Sequence, residues 1–178
     1  NGPTIAGVST VSSSAFMVMP SGDTAIRGAG SGRGVFAGSA TPSITNVMDY
    51  VVIATTGNAT DFGDLTVPRM VGGGCSNSTR GVIGGGDPTP GTQTNVIDYV
   101  TIASVGNAAD FGDLTSARRD LDAASSPTRA IFVGGDTPTL VNTIDYVEIL
   151  TTGDAVDFGD QTTKRDRLSA CSNGHGGL

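Results

Sequence analysis

Apolar and polar positions follow one rhythm, repeated three times along the chain. Each round opens on a short apolar run closed by glycine: Gly34-Val35-Phe36-Ala37-Gly38, Gly81-Val82-Ile83-Gly84-Gly85 and Ala130-Ile131-Phe132-Val133-Gly134-Gly135. Apolar runs this short predict strands buried on both faces. A Pro/Thr/Asp loop follows, as in Asp87-Pro88-Thr89-Pro90-Gly91, and then an alternating stretch, as in Val96-Ile97-Asp98-Tyr99-Val100-Thr101-Ile102. Period-two alternation rich in β-branched and aromatic residues predicts a second strand. Its Asp and Tyr point to opposite faces, so one of each pair is expected on the polar side. Gly57-Asn58, Gly106-Asn107 and Gly153-Asp154 mark the next turn, and a short third strand carries Asp-Phe-Gly-Asp. A last strand of small residues closes the unit, as in Val71-Gly72-Gly73-Gly74-Cys75 or Leu121-Asp122-Ala123-Ala124-Ser125.

The repeat is tightly spaced. Asp49, Asp98 and Asp145, each followed by Tyr-Val, lie 49 and then 47 residues apart. Four-stranded units with a period in this range belong to β-propellers. The expectation is therefore an all-β chain built from four-stranded repeats of about 47–49 residues, with units at about 30–77, 78–126 and 127–171. Residues 1–29 read as a lead-in segment or degenerate half blade, and residues 172–178 as the start of a further strand or a closure. Propellers typically need about four or more blades. One closure joins Gly22-Asp23-Thr24-Ala25-Ile26-Arg27 to the C-terminal Gly-rich strand as a fourth blade. The alternatives are an open piece of a larger ring and closure by a second chain. The start at Asn1 and the stop within a further repeat read as a fragment of a longer chain.

The order of elements resembles the kelch repeat: apolar strand, double glycine, Tyr-bearing strand, aromatic, then an arginine before a small-residue strand. Phe62, Phe111 and Phe158 stand where kelch repeats usually carry Trp, and Gly38-Ser39 breaks one double glycine. The resemblance covers most of residues 30–171 and implies a kelch-like β-propeller.

Composition agrees with strands and turns. Glycine is 27 of 178 residues, Glu148 is the only glutamate and Lys164 the only lysine, so Asp and Arg carry nearly all the charge. Asp, Gly, Asn, Ser and Thr favour turns, whereas Glu and Lys favour exposed helix. The net charge of −7 argues against non-specific nucleic-acid binding, which needs a basic face. No apolar run approaches the ~20 residues of a membrane span. Cys75 and Cys171 fall on the same repeat position, out of disulfide reach of each other, and read as free buried thiols.

Catalytic motifs fail on context. Asp-Phe-Gly occurs without the Gly-rich loop, strand lysine and catalytic-loop aspartate of a kinase, and its repetition marks it as scaffold. Gly28-Ala29-Gly30-Ser31-Gly32-Arg33-Gly34 is followed by a strand rather than the helix a phosphate-cradling loop needs. His175 is the only histidine, and no Gly-x-Ser-x-Gly elbow is present. No catalytic residue and no cofactor are expected. The repeated acids Asp61, Asp64, Asp110, Asp113, Asp157 and Asp160 are calcium candidates, because hard cations gather oxygen ligands, with turn capping as the competing role. Arg69, Arg118 and Arg165 each follow the second Asp of a block by five residues and are expected to bridge carboxylates or strand-end carbonyls between blades. Tyr50, Tyr99 and Tyr146, with the three phenylalanines, are expected to pack the blades. Asn58-Ala59-Thr60 and Asn77-Ser78-Thr79 are glycosylation sequons that matter only in a secretory host.

The phrases Val96-Ile97-Asp98-Tyr99-Val100-Thr101-Ile102-Ala103 and Gly106-Asn107-Ala108-Ala109-Asp110-Phe111-Gly112-Asp113-Leu114-Thr115 resemble repeats of virion appendage proteins of marine bacteriophages, particularly those of cyanobacteria. The opening Phe16-Met17-Val18-Met19-Pro20-Ser21-Gly22-Asp23-Thr24-Ala25 is similar to the lead-in of phage tail-fibre chains. The resemblance implies a non-enzymatic structural or adhesive protein of the virion that displays loops for host-surface recognition. The alternatives are a capsid or tail assembly protein with no external ligand, and an extracellular propeller enzyme. Implied partners are other virion proteins, a host-surface glycan or protein, and further copies of the chain in a homo-oligomer.

Overall fold

The computed structural model describes residues 32–173, and within them the fold is all-β, with eleven strands and no helix. Three antiparallel sheets form. The first has the order β1 (Arg33–Ser39), β2 (Thr45–Val52), β3 (Thr60–Asp64). The second is β4 (Gly73–Ser76), β5 (Arg80–Gly84), β6 (Val96–Thr101), β7 (Ala109–Asp113), and the third is β8 (Asp122–Ser125), β9 (Arg129–Val133), β10 (Thr143–Glu148), β11 (Val156–Asp160). Every connection inside a sheet joins neighbours, so each sheet is a meander.

The sheets stand one sequential step out of phase with the sequence units. The small-residue strand, read as the last of its unit, hydrogen-bonds to the first strand of the next, as β4 does with β5 and β8 with β9. Each unit thus gives one strand to the following sheet and ties it to its neighbour. Small residues suit that inner position because β4 packs directly against β8, and a Cβ on Gly73 would sit 3.1 Å from the Asp122 backbone. The third unit supplies no such strand among the described residues: 161–173 are irregular.

The sheets stack in chain order through two apolar layers. Met48, Phe62 and Leu65 of the first unit meet Val100 of the second sheet, with Ile83 packed alongside. Val82, Ile97 and Phe111 meet Ala130, Phe132 and Val147 of the third. Val82 and Ile83 therefore face opposite neighbours, and the continuous apolar run of β5 is covered on both sides as expected. β1 is not: Phe36 is 58% exposed.

Each third strand carries a β-bulge at the Phe of Asp-Phe-Gly-Asp, which is left unpaired between the Asp and Gly that face two consecutive second-strand residues. Gly63 and Gly112 take φ of +137° and +144°, backbone open essentially to glycine alone. A Cβ there would come within 2.5 Å of the Gly106 and Gly153 carbonyls of the next sheet. The glycine thus serves both the bulge and the close approach of sheets. The lead-in 1–29, most of the Gly28–Gly34 segment, and His175 lie outside the described residues.

Candidate functional site

The recurrent arginines and aspartates build the junctions between sheets. Arg69 leaves the first sheet in the connection between β3 and β4 and places its guanidinium 2.8 Å from Asp98 on β6. It also donates to the carbonyls of Val96, at 3.1 Å, and Ile83, at 3.2 Å. Thr66 completes the cage, its hydroxyl 2.6 Å and its amide 3.1 Å from the same carboxylate. The next junction repeats the set. Arg118 lies 2.8 Å from Asp145, Thr115 donates to that carboxylate at 2.7 and 3.1 Å, and the carbonyls of Thr143 and Phe132 accept from Arg118. Burial pulls both guanidinium groups below their usual value, and the adjacent carboxylates push back. Arginine remains charged under such conditions.

The expectation that Arg69 and Arg118 bridge carboxylates and carbonyls between sheets holds. Their partner is the aspartate of the next Asp-Tyr pair. Of each Asp-Tyr pair, one member of which is expected on the polar side, Asp98 and Asp145 are fully buried while Tyr99 and Tyr146 are half-buried. The preceding sheet covers the face of β6 and β10 that carries the aspartate, so that aspartate meets a junction rather than water. Arg165 and Asp49 depart from the pattern, since each is exposed. Among the described residues the Arg165 guanidinium donates only to Thr163, at 3.0 Å.

The aromatic residues repeat as closely. Tyr50–Phe62, Tyr99–Phe111 and Tyr146–Phe158 pack edge to face at 5.8, 5.9 and 6.0 Å. Arg33, Arg80 and Arg129 lie 4.7, 4.5 and 4.4 Å over the tyrosine rings. Arg33 and Arg80 also reach across a junction to the carbonyls of Ile102 and Ile149. Phe62 and Phe111 are buried, whereas Phe158 is 53% exposed because no described sheet covers it.

The calcium candidates do not converge. No three acidic, His or Cys side chains group together as metal ligands among the described residues. Asp61 and Asp157 instead accept from the amides of Gly63 and Gly159 at 3.2 and 3.1 Å, capping the bulge. The amides of Asp64 and Asp113 donate across the junction to Asn107 and Asp154, both at 3.1 Å. Asp110 and Asp160 are exposed.

Sequence reasoning missed one cluster. At the end of the molecule that carries the Pro/Thr loops, Arg119 donates to Asp87 at 2.8 Å and to Asp136 at 3.1 Å. Asp87 is fully buried and also accepts from the Gly91 amide. Thr89-Pro90-Gly91-Thr92 closes by a 2.9 Å bond from the Thr92 amide to the Thr89 carbonyl, with φ of +82° at Gly91. Pro and then Gly at the two central positions fit a type II turn. One guanidinium thus pins the bases of loops 85–95 and 134–142, leaving Thr89, Thr92 and Thr139 exposed at their tips. The legible signal was an Asp directly after the double glycine in units two and three, where the first unit has Ala40.

Both cysteines are free. Burial pushes the Cys75 thiol up to about 12, with the Asp122 charge adding to the shift. Cys171 is exposed, which corrects its reading as buried: its segment has no partner strand among the described residues. No helix among the described residues is long and apolar enough to cross a membrane.

No protein-family model matches the chain, and a search of curated proteins finds no match.

Proposed function

We propose that the chain is a segment of a kelch-like β-propeller that serves as a non-catalytic structural and adhesive part of a virus appendage. One observation carries the non-catalytic part: the recurrent charges that are buried are consumed by the junctions. Arg69, Arg118, Asp98 and Asp145 hold sheet to sheet, and the recurrent acids that stay exposed form no group of three with other acids, His or Cys among the described residues. Three surface clefts support the same reading. They are lined around Gly81 and Val100, around Gly38 and Met70, and around Ala124 and Ile131, and none includes an Asp or Glu. The repeated step from sheet to sheet, with its double-glycine and Arg/Tyr pattern, supports the propeller reading.

Adhesion is assigned to the loop end. Exposed Thr, Pro and Gly tips on bases fixed by Arg119 give a polar surface ordered before contact, which lowers the entropic cost of binding. Such loops suit a wet glycan or protein contact better than an apolar small-molecule pocket. The virion assignment rests on the resemblance of the two long repeat phrases to bacteriophage appendage proteins.

Mass spectrometry of purified marine bacteriophage particles tests the assignment through the tryptic peptide 81–118, which lies between Arg80 and Arg118. Its enrichment with the particles is expected, and its absence from them overturns the virion reading. Binding of the isolated chain to host cells or a glycan array separates adhesion from assembly. Replacing 88–92 and 137–140 by Gly/Ser of equal length is expected to abolish binding with the fold intact. A chain that binds no cell or glycan serves assembly alone.

A further inference from the structure

The two ends of the stack are complementary halves of the junction that the chain builds twice internally. Each internal junction has a donor side and an acceptor side. On the donor side are an arginine past the third strand, a buried phenylalanine, and two edge-strand carbonyls: Arg69 with the carbonyls of Phe62 and Asp64, and Arg118 with those of Phe111 and Asp113. On the acceptor side are the Asp of the second strand and two turn amides: Asp98 with Gly106 and Ala108, and Asp145 with Gly153 and Ala155. The third sheet ends the described stack with a donor side, namely Arg165, Phe158 and the carbonyls of Phe158 and Asp160. The first sheet begins it with an acceptor side, namely Asp49 and the amides of Gly57 and Ala59.

Three observations show both halves open among the described residues. Arg165 and Asp49 are exposed, whereas their counterparts are almost wholly buried. The space beside Gly159 is empty, although its φ of +134° matches Gly63 and Gly112, whose neighbours approach within 2.5 Å. Large apolar side chains lie bare on each face, Phe36 and Ile53 on the first sheet and Phe158 on the third. Bare faces of this kind mark interaction surfaces.

A strand is missing in a complementary way as well. Among the described residues the first sheet has three strands, with β1 at its edge, where the others have four. At the other end, Ser172 donates its hydroxyl to the Ser125 carbonyl at 2.5 Å, just as Ser125 donates to the Ser76 carbonyl at 2.6 Å. Segment 170–173 therefore lies where the inner strand of a fourth sheet belongs, with no strand among the described residues paired to it.

We propose that a second copy of this chain docks head to tail, its first sheet against the third sheet. Arg165 of one copy binds Asp49 of the other, the turn amides of Gly57 and Ala59 take the carbonyls of Phe158 and Asp160, and β1 pairs with segment 170–173 to complete a four-stranded sheet. Charge complementarity selects this occupant: an exposed arginine and an exposed aspartate sit at the positions that form the internal buried pairs. Two such head-to-tail contacts related by a two-fold axis make one isologous dimer interface, in which Arg165 meets Asp49 and Asp49 meets Arg165, and leave neither face open. The inference does not depend on the virion assignment.

Native mass spectrometry or light scattering on the 178-residue chain tests it. Association into two copies, about twice the 17.8 kDa of one chain, is expected. Arg165→Glu alone and Asp49→Arg alone should each weaken association by at least ~30-fold, the scale for one lost partner of a desolvated pair. The double variant carries the reversed pair at every junction and should associate again. A single-copy mass for the unaltered chain, as closure by its own residues 1–31 would give, overturns the proposal. So does association indifferent to Arg165→Glu. Register is read separately with Val35→Cys, because Cys75 pairs with Val82 at the equivalent internal site. A chain-to-chain disulfide with Cys171 supports the strand pairing, and its absence under oxidising conditions overturns it.

Discussion

Arg69 and Asp98 form an ion pair at 2.8 Å with 2% and 0% of their side chains accessible, although they come from different sheets and lie 29 residues apart in the chain. The pair is the point at which the repeat becomes architecture. A carboxylate and a guanidinium taken from water cost several kcal/mol each, and only good geometry and further hydrogen bonds offset that cost. Thr66 and the Val96 and Ile83 carbonyls supply those bonds. The second sheet can therefore sit on the first in one orientation.

Asp98→Ala should destabilise the fold by about 3–5 kcal/mol, because it strands the Arg69 charge in a dry junction. Asp49→Ala, at the same repeat position but exposed, should fall within about 0.5 kcal/mol in the single chain. Denaturant unfolding of the two variants compares them. Equal effects would show that burial does not distinguish the sites.

Gly112 and Gly159 separate backbone strain from crowding. Both have strongly positive φ, and only Gly112 has a neighbour, the Gly153 carbonyl, in the path of a Cβ. Gly159→Ala should cost about 1–3 kcal/mol from strain. Gly112→Ala should add ~1–3 kcal/mol from overpacking. Thermal melts that rank the two in the opposite order would count against the close approach of the sheets.

The two thiols should react at different stages. Exposed Cys171 should label in the native chain at pH 8, and Cys75 only on unfolding, which a thiol titration with and without denaturant counts. The pH dependence has a definite sign. The Cys75 thiol is raised from 9.0 to about 12 in the fold, so the unfolded chain loses this proton first. Stability from this group is intact below pH 9 and falls as pH rises through the window to about 12. Cys75→Ala should remove that part of the alkaline decline.

Arg119→Ala should loosen the loop end. It leaves Asp87, buried without other cationic help among the described residues, and unpins Asp136. Hydrogen exchange should rise in 85–95 and 134–142 while the strands stay protected. Arg167→Ala, whose side chain is mostly exposed, should leave those loops unchanged.

Local pattern alone carried the threefold repeat and eleven of the twelve strands it predicts, because period-two alternation, glycine-closed apolar runs and Gly-Asn turns each depend on neighbours a few residues away; the last strand of the third unit is not formed among the described residues. It also carried the role of Arg69 and Arg118 as bridges, since a charge recurring at fixed spacing in a turn-rich chain needs a recurring partner. Three things were decided only in the tertiary structure. The sheet boundary fell one strand early, because β4 finds its hydrogen bonds in the next unit. Asp98 and Asp145 went dry while Asp49 stayed wet, because burial depends on whether another sheet stands across the junction. For the same reason Phe158 and Arg165, at the repeat positions of Phe111 and Arg118, ended exposed. A repeat writes the same residues into every unit, and only the stacking of one unit on another determines which of them meet a partner.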